Sequence, residues 1–182
     1  CLYYGTEQGL SGTVGPDGSP ELNSPESVRE ALWGKAPPFD RANDFYAQVC
    51  AVAGLRRGEP ALRYGRLYFR EVSGNGTDFG HSTGVGGVIA FSRILVDREV
   101  LLVANTHTGQ GFAGAVLVDS DLNRGERPFR VAYSNVGSTR TGTVRHLSDA
   151  RFHHPDGGVG EGPAAVLDVE LRPMEAQILV PD

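Results

Sequence analysis

At Tyr64 the repeat of apolar residues changes from a helical to a strand period, and it does not change back. Before that point Phe45, Val49 and Val52 recur at i, i+4 and i+7, with Tyr46, Cys50 and Ala53 one residue behind. That pattern predicts a helix from about Asn43 to Arg57 with a wide apolar face, as in a helix packed on a sheet. Gly58 follows the double arginine as a stop signal, and Pro60 supports it. After Tyr64 the period is 2, the spacing of a strand with two unlike faces. Strands are predicted near 66–72, 87–95, 100–105, 114–119, 129–134, 142–147, 164–171 and 174–180, separated by Gly, Asn, Asp and Pro clusters. Val88-Ile89-Ala90-Phe91 and Val100-Leu101-Leu102-Val103 are near-continuous apolar runs and are expected to be central. Eight short strands without intervening helices make a mainly β fold, an antiparallel Greek-key sandwich.

The chain ahead of that helix is different. Cys1-Leu2-Tyr3-Tyr4 is a short β-prone run. A segment rich in Gly, Pro and Ser follows from Gly5 to Asp40, with room for one short helix: Ser24 as N-cap, Pro25 at the first position, then Glu26 to Leu32. A connection this long is uncommon in a compact domain unless it is functional.

Charge and composition exclude several classes. The 182 residues carry a formal net charge of −5 without a long run of either sign, which disfavours a nucleic-acid or anionic-membrane partner. The densest basic stretch is Arg56, Arg57, Arg63, Arg66 and Arg70; the first pair ends the helix and the others are expected on a solvated face. No apolar run approaches the roughly 20 residues that span a bilayer. The compartment is left open. Cys1 and Cys50 are expected as reduced, buried thiols. His81, His107, His146, His153 and His154 lack metal-ligand spacing, so no cofactor is expected.

Three stretches, in order, resemble one family. Leu2-Tyr3-Tyr4-Gly5-Thr6-Glu7-Gln8-Gly9 resembles the eighth barrel strand and following loop of the α-amylase (glycoside hydrolase 13-like) enzymes. Ala53-Gly54-Leu55-Arg56-Arg57-Gly58-Glu59-Pro60-Ala61-Leu62 resembles their last barrel helix and its exit. Val100-Leu101-Leu102-Val103-Ala104-Asn105, with the closing Leu171-Arg172-Pro173-Met174-Glu175-Ala176, resembles their C-terminal β-domain. The resemblance implies that residues 1–64 are the end of a (β/α)8 barrel (strand, loop and final helix) and that 65–182 are the C-terminal sandwich. Active sites of such barrels lie at the C-terminal strand ends, so Tyr4 and Glu7 are the candidate substrate-binding residues, at the rim of a cleft. Retaining glycosidases need two carboxyl groups roughly 5 Å apart. The resemblance puts those groups on strands that would precede Cys1, so no catalytic residue is assigned in this chain.

The expected function is therefore the non-catalytic C-terminal part of an α-glucan-active glycosidase or transglycosidase. The alternative is a stand-alone structural or carbohydrate-binding β-sandwich, for which Tyr68, Phe69, Phe79 and Phe112 are the candidate sugar-facing aromatics; Trp33 lies outside the β region. A helix and a strand cut from a barrel leave apolar surface bare, so the expected partner is the rest of the barrel, or a second copy covering that surface. The α-glucan would be a partner of the parent enzyme. Other motifs read as turns: Gly109-Gln110-Gly111-Phe112-Ala113-Gly114 leads into a strand and not a helix, and Asp119-Ser120-Asp121-Leu122-Asn123 lacks the Gly and Glu of a calcium loop. Asn75-Gly76-Thr77 is a glycosylation triplet in form.

Overall fold

The computed structural model describes residues 2, 4–9, 37–81 and 87–182. Cys1, Tyr3, the expected helix at Ser24–Leu32 and Trp33 lie outside them. The chain divides into two compact units, Cys1–Gly54 and Leu55–Asp182.

In the first unit Leu2 is in no strand and Tyr4 lies in a turn. A single 3-10 turn, Thr6–Gln8, runs between Gly5 and Gly9, both in the left-handed region at φ 78° and 65°. Helix α1 (Asp44–Gly58) forms where the period predicts it. The Asn43 side chain starts it, its Oδ1 accepting the Phe45 N–H at 2.8 Å. Its apolar face is bare in this chain: no residue of α1 is buried, and Phe45 is 61% exposed. Cys50 is likewise exposed and free, which corrects the buried thiol.

Pro60 does more than end that helix. It opens a second, short helix, α2 (Pro60–Tyr64). Ten strands follow: β1 (Arg66–Phe69), β2 (Val72–Ser73), β3 (Asp78–Phe79), β4 (Val88–Leu95), β5 (Arg98–Asn105), β6 (Phe112–Val118), β7 (Pro128–Ser134), β8 (Thr141–His153), β9 (Val159–Leu171) and β10 (Ala176–Pro181). The hydrogen-bonded order is β1-β4-β5-β10-β7-β8-β9-β6-β2. All pairs are antiparallel except β3, which lies parallel to β8 for two residues. Strand β8 turns the corner. Thr141–Thr143 pair with β7, and the rest pairs with β9, with a register break between Leu147 and Ala150.

Folding at β8 brings two sheets face to face. Leu101 and Val103 of β5, Phe129 of β7 and Leu179 of β10 meet Val116 and Val118 of β6 and Ala165, Leu167, Val169 and Leu171 of β9 in one core cluster. The crossings from β5 to β6, β6 to β7 and β9 to β10 each change sheet, so the mainly β, antiparallel Greek-key sandwich is observed. Both outer faces are partly roofed. Ala61 and Leu62 of α2 sit with Val100, Ile178 and Val180 outside the first sheet. Phe79 of β3 sits with Ala115, Ala150, Ala164 and Val166 outside the second.

The strand expected at 66–72 is two strands in different sheets. Arg66–Phe69 pair with β4, Val72–Ser73 with β6, and the chain changes sheet at Arg70-Glu71. Arg70 is also the arginine that leaves the expected solvated face. Its side chain turns inward to Glu99, Nη2 to Oε1 at 2.7 Å.

Candidate functional site

The 4–9 segment is pinned by a neighbour of the residue singled out from sequence. Gln8 Oε1 accepts the Asp40 N–H at 2.8 Å, and the Asn43 amide donates to the Gln8 carbonyl at 3.3 Å. The segment is thereby tied to the start of α1 through Gln8. Glu7 is half-buried, Tyr4 is exposed, and Glu7 makes no hydrogen bond with a described residue. Asp40 Oδ1 accepts the Ala42 N–H at 2.8 Å, one step ahead of the helix.

In the sandwich, sequence reasoning missed the polar interior. Glu99 is fully buried. Its Oε1 accepts from Arg70 and the Ser92 hydroxyl, and its Oε2 accepts the Asp119 N–H at 2.9 Å and the Asn123 amide at 2.5 Å. Glu59, also buried, takes a forked contact from Arg98, both oxygens lying 2.9 Å from Nε. That contact holds the Arg98 guanidinium above its ordinary pKa. Glu175 closes the β9–β10 turn: Oε2 accepts the Arg172 N–H at 2.8 Å, and Oε1 accepts from Ser134 at 2.8 Å and from Gln177 at 2.7 Å. Burial alone would raise the Glu175 pKa, but these donors, with Ser138, outweigh it and hold the carboxyl below its ordinary value. Glu59 follows Gly58, Glu175 follows Met174 and Glu99 follows the charged pair Asp97-Arg98, and nothing local marks any of the three as buried.

On the outer face of the second sheet the charges are exposed and paired across strands. Arg145 of β8 makes a two-point contact with Asp168 of β9, Nε at 2.8 Å and Nη2 at 2.7 Å. This pair raises the Arg145 pKa. Arg140, just ahead of β8, pairs with Glu170 through a single Nη1–Oε2 contact. Asp168 and Glu170 alternate along β9 and therefore share a face. They border open space in two stretches: both acids line the first, and Glu170 but not Asp168 lines the second, which reaches the β9–β10 turn. One stretch, of about 330 Å³, is bounded by Gly74, Asn75, Gly76, Ala113 and Gly114. The other, of about 620 Å³, is bounded by Gly111, Gly137, Ser138, Arg172, Glu175 and Gln177.

Several sequence motifs resolve as structure. Asn75 Oδ1 accepts from the N–H groups of Thr77 and Asp78, and its amide donates to Asp78 at 2.6 Å, so the glycosylation triplet is engaged in its own turn. The same Asn75 contact, with Arg151 and His153 beyond it, lowers the Asp78 pKa. Asp119 Oδ1 accepts the Asp121 and Leu122 N–H groups, which makes 119–123 a hydrogen-bonded turn. Gly109–Gly111 lead into strand β6. Phe79 is core, Phe112 packs against the core, and Tyr68 and Phe69 are exposed neighbours on opposite faces of β1. Among the described residues no three His, Cys, Asp or Glu side chains group to hold a metal ion, and no helix is long and apolar enough to cross a membrane.

No family model matches this chain, and no curated protein does. The fold does match a solved structure, that of CldA, described as the first cyclomaltodextrin glucanotransferase with a three-domain ABC distribution. The TM-score is 0.54 at 18% identity, and the match covers 98% of this chain and 28% of that one. The chain thus spans less than a third of that protein's length, and at this identity the likeness is one of fold.

Proposed function

We propose that this chain is the C-terminal part of an α-glucan-active, retaining glycosidase or transglycosidase, itself non-catalytic, in which the sandwich supports a catalytic barrel. The observation that carries the reading is that nearly the whole chain, the N-terminal piece included, superposes on 28% of a three-domain glucanotransferase. In this reading residues 1–64 are the last strand, loop and helix of the barrel, 65–182 are the C-terminal β-domain, and Tyr4 and Glu7 stand at the cleft rim. The missing cover of α1 is then the rest of the barrel, or failing that a second copy. The bare helix supports this: Phe45 is 61% exposed and Cys50 is exposed on the same helix.

The carboxylates of the sandwich support the non-catalytic half of the reading. Glu99, Asp168, Glu170 and Glu175 are each held by arginines, amides or backbone N–H groups of the sandwich, and Glu59, just ahead of it, is held by Arg98. None is left as a free pair at glycosidase spacing.

The test is reconstitution. The chain alone is expected to give no turnover of an aryl α-glucoside. Joined to the coding sequence upstream of Cys1, it is expected to give turnover that is lost when the sandwich is deleted. Turnover by the chain alone, stable to repurification, or an upstream sequence without barrel strands bearing carboxylates, overturns the proposal.

A further inference from the structure

We propose that the open edge of strand β1 pairs with itself: a second copy of this chain adds its own β1 antiparallel, with Tyr68 opposite Tyr68 on the twofold axis.

Strand β1 ends the hydrogen-bonded order on one side and pairs with β4 alone. The Arg70 N–H donates to the Ala90 carbonyl at 2.9 Å. An antiparallel ladder alternates, so Arg66 and Tyr68 also turn their backbone groups to β4, and Leu67 and Phe69 turn theirs to the open edge. Among the described residues no strand meets those groups. Sheet edges are ordinarily blunted by Lys, by Pro or by very short strands. The opposite edge is blunted in this way, since β2 is two residues long. Strand β1 has four residues, neither Lys nor Pro, and all four side chains are exposed.

The backbone of the edge selects both the occupant and its register. With Leu67 opposite Phe69, every outward group of both residues finds a partner on the second copy. A slip of one residue sets outward groups against inward ones. A slip of two in one direction sets Phe69 against Gly65, whose N–H is already given to the Ala61 carbonyl at 2.9 Å. In the other direction it sets Leu67 against Glu71, whose carbonyl already accepts the Leu117 N–H at 3.1 Å.

The side chains agree with that register. Opposite residues of an antiparallel pair share a face, so Leu67 and Phe69 of one copy meet Phe69 and Leu67 of the other. The apolar surface there continues into Phe91, whose ring lies edge-on to Phe69 at 6.5 Å. On the other face Arg66 stands opposite Arg70 of the second copy. Two free cations would repel, but the Arg70 charge is spent on Glu99 at 2.7 Å. The contact is small. Tyr68 and Phe69 are 42% and 70% exposed, and an aromatic side chain offers roughly 150–250 Å². With Leu67, two copies hide on the order of 600 Å², short of the roughly 1,200 Å² of a stable interface. The dimer is therefore reversible and weak.

Sedimentation velocity of the full chain over about 10 μM to 1 mM, the range of such contacts, is expected to show a monomer–dimer equilibrium. Phe69→Lys, a gatekeeping charge on an exposed position, is expected to weaken it at least tenfold. Register is read by oxidative cross-linking in a Cys1→Ser/Cys50→Ser background. Tyr68→Cys places two thiols opposite each other in a pair without hydrogen bonds, with Cα atoms about 4.5 Å apart, within the span of a disulfide. It is expected to give a covalent dimer. Arg66→Cys places them about 14 Å apart along the strands and is expected to give none. A chain monomeric at 1 mM, a dimer that survives Phe69→Lys, or cross-linking at 66 as readily as at 68 overturns the proposal. So does a dimer lost in Phe45→Asp but kept in Phe69→Lys, which would put the second copy on α1.

Discussion

The buried Glu99 cluster supports the sharpest stability prediction. Glu99 is fully buried, and the Arg70 side chain that reaches it is 15% exposed. Removing the carboxylate in Glu99→Leu leaves the Arg70 guanidinium, the Asp119 N–H and the Asn123 amide without an acceptor. Stranding one charge of a buried pair costs about 3–5 kcal/mol. For a unit of this size that is a fall of roughly 10–20 °C in Tm. Arg70→Met removes the other charge but leaves the carboxylate three neutral donors, Ser92, Asp119 and Asn123. It is expected to cost less, about 2–3 kcal/mol. The double variant Arg70→Met/Glu99→Leu strands no charge, only the neutral donors. It is expected to cost no more than Glu99→Leu alone, so the two losses are non-additive by about 2 kcal/mol. Urea denaturation of the four proteins closes the cycle. Additive losses, or a Glu99→Leu cost under about 1 kcal/mol, would show that water reaches the cluster and that the pair does not organise the interior.

Phe79→Ala removes the largest side chain of the outer roof on the second sheet and is expected to cost about 3–4 kcal/mol in the same denaturation assay. Arg98→Ala breaks the forked contact with Glu59; because Arg98 is 38% exposed, the expected cost is only about 1–2 kcal/mol, measured by thermal melt. Glu175 gives a pH signature. Its folded pKa lies below the ordinary carboxyl value, so its stabilisation is complete above about pH 5 and is lost as pH falls through the folded pKa. The Tm gap between wild type and Glu175→Gln is therefore expected to be constant at neutral pH and to shrink below about pH 4; a gap that widens in acid would refute the assignment.

The period of the apolar residues carried most of the fold. All eight predicted strand regions contain strands, and α1 begins and ends within a residue of the predicted helix. What it missed has physical causes. Strands β2 and β3 are two residues each, too short for an alternation to register, and they exist because Phe79 is needed over Ala115 and Val166. The split at Arg70 is invisible because an arginine between strands looks solvated; only the tertiary position of Glu99 draws it inward. The expected burial of Cys50 failed for the opposite reason. Periodicity reports that a face is apolar, but not that this chain supplies its cover. In the 4–9 segment the family resemblance drew notice to Tyr4 and Glu7, whereas the amide of Gln8 makes the contacts with Asp40, donating to its carbonyl and accepting its N–H. An amide can donate and accept at once, which suits it to tying one loop to another, and a carboxylate only accepts.

How the sandwich uses its acids bears on what it can do. Glu99 and Glu59 are buried against arginines, Glu175 is buried against hydroxyl, amide and backbone donors, and all three hold connections: β5 to the 119–123 turn, α2 to β5, and β9 to β10. A general acid needs a proton to give and a nucleophile needs an unshared lone pair. Carboxylates already saturated by donors, and in the case of Glu175 held below their ordinary pKa, are poor at either role. The acids that keep exposed oxygens, Asp168 and Glu170, are paired with Arg145 and Arg140 on the outer face of the second sheet. Their oxygens stay open to solvent, whereas those of the three buried acids are closed by donors. The sandwich thus places its rigidity in saturated carboxylates inside and leaves its exposed ion pairs, which hold themselves only weakly, outside.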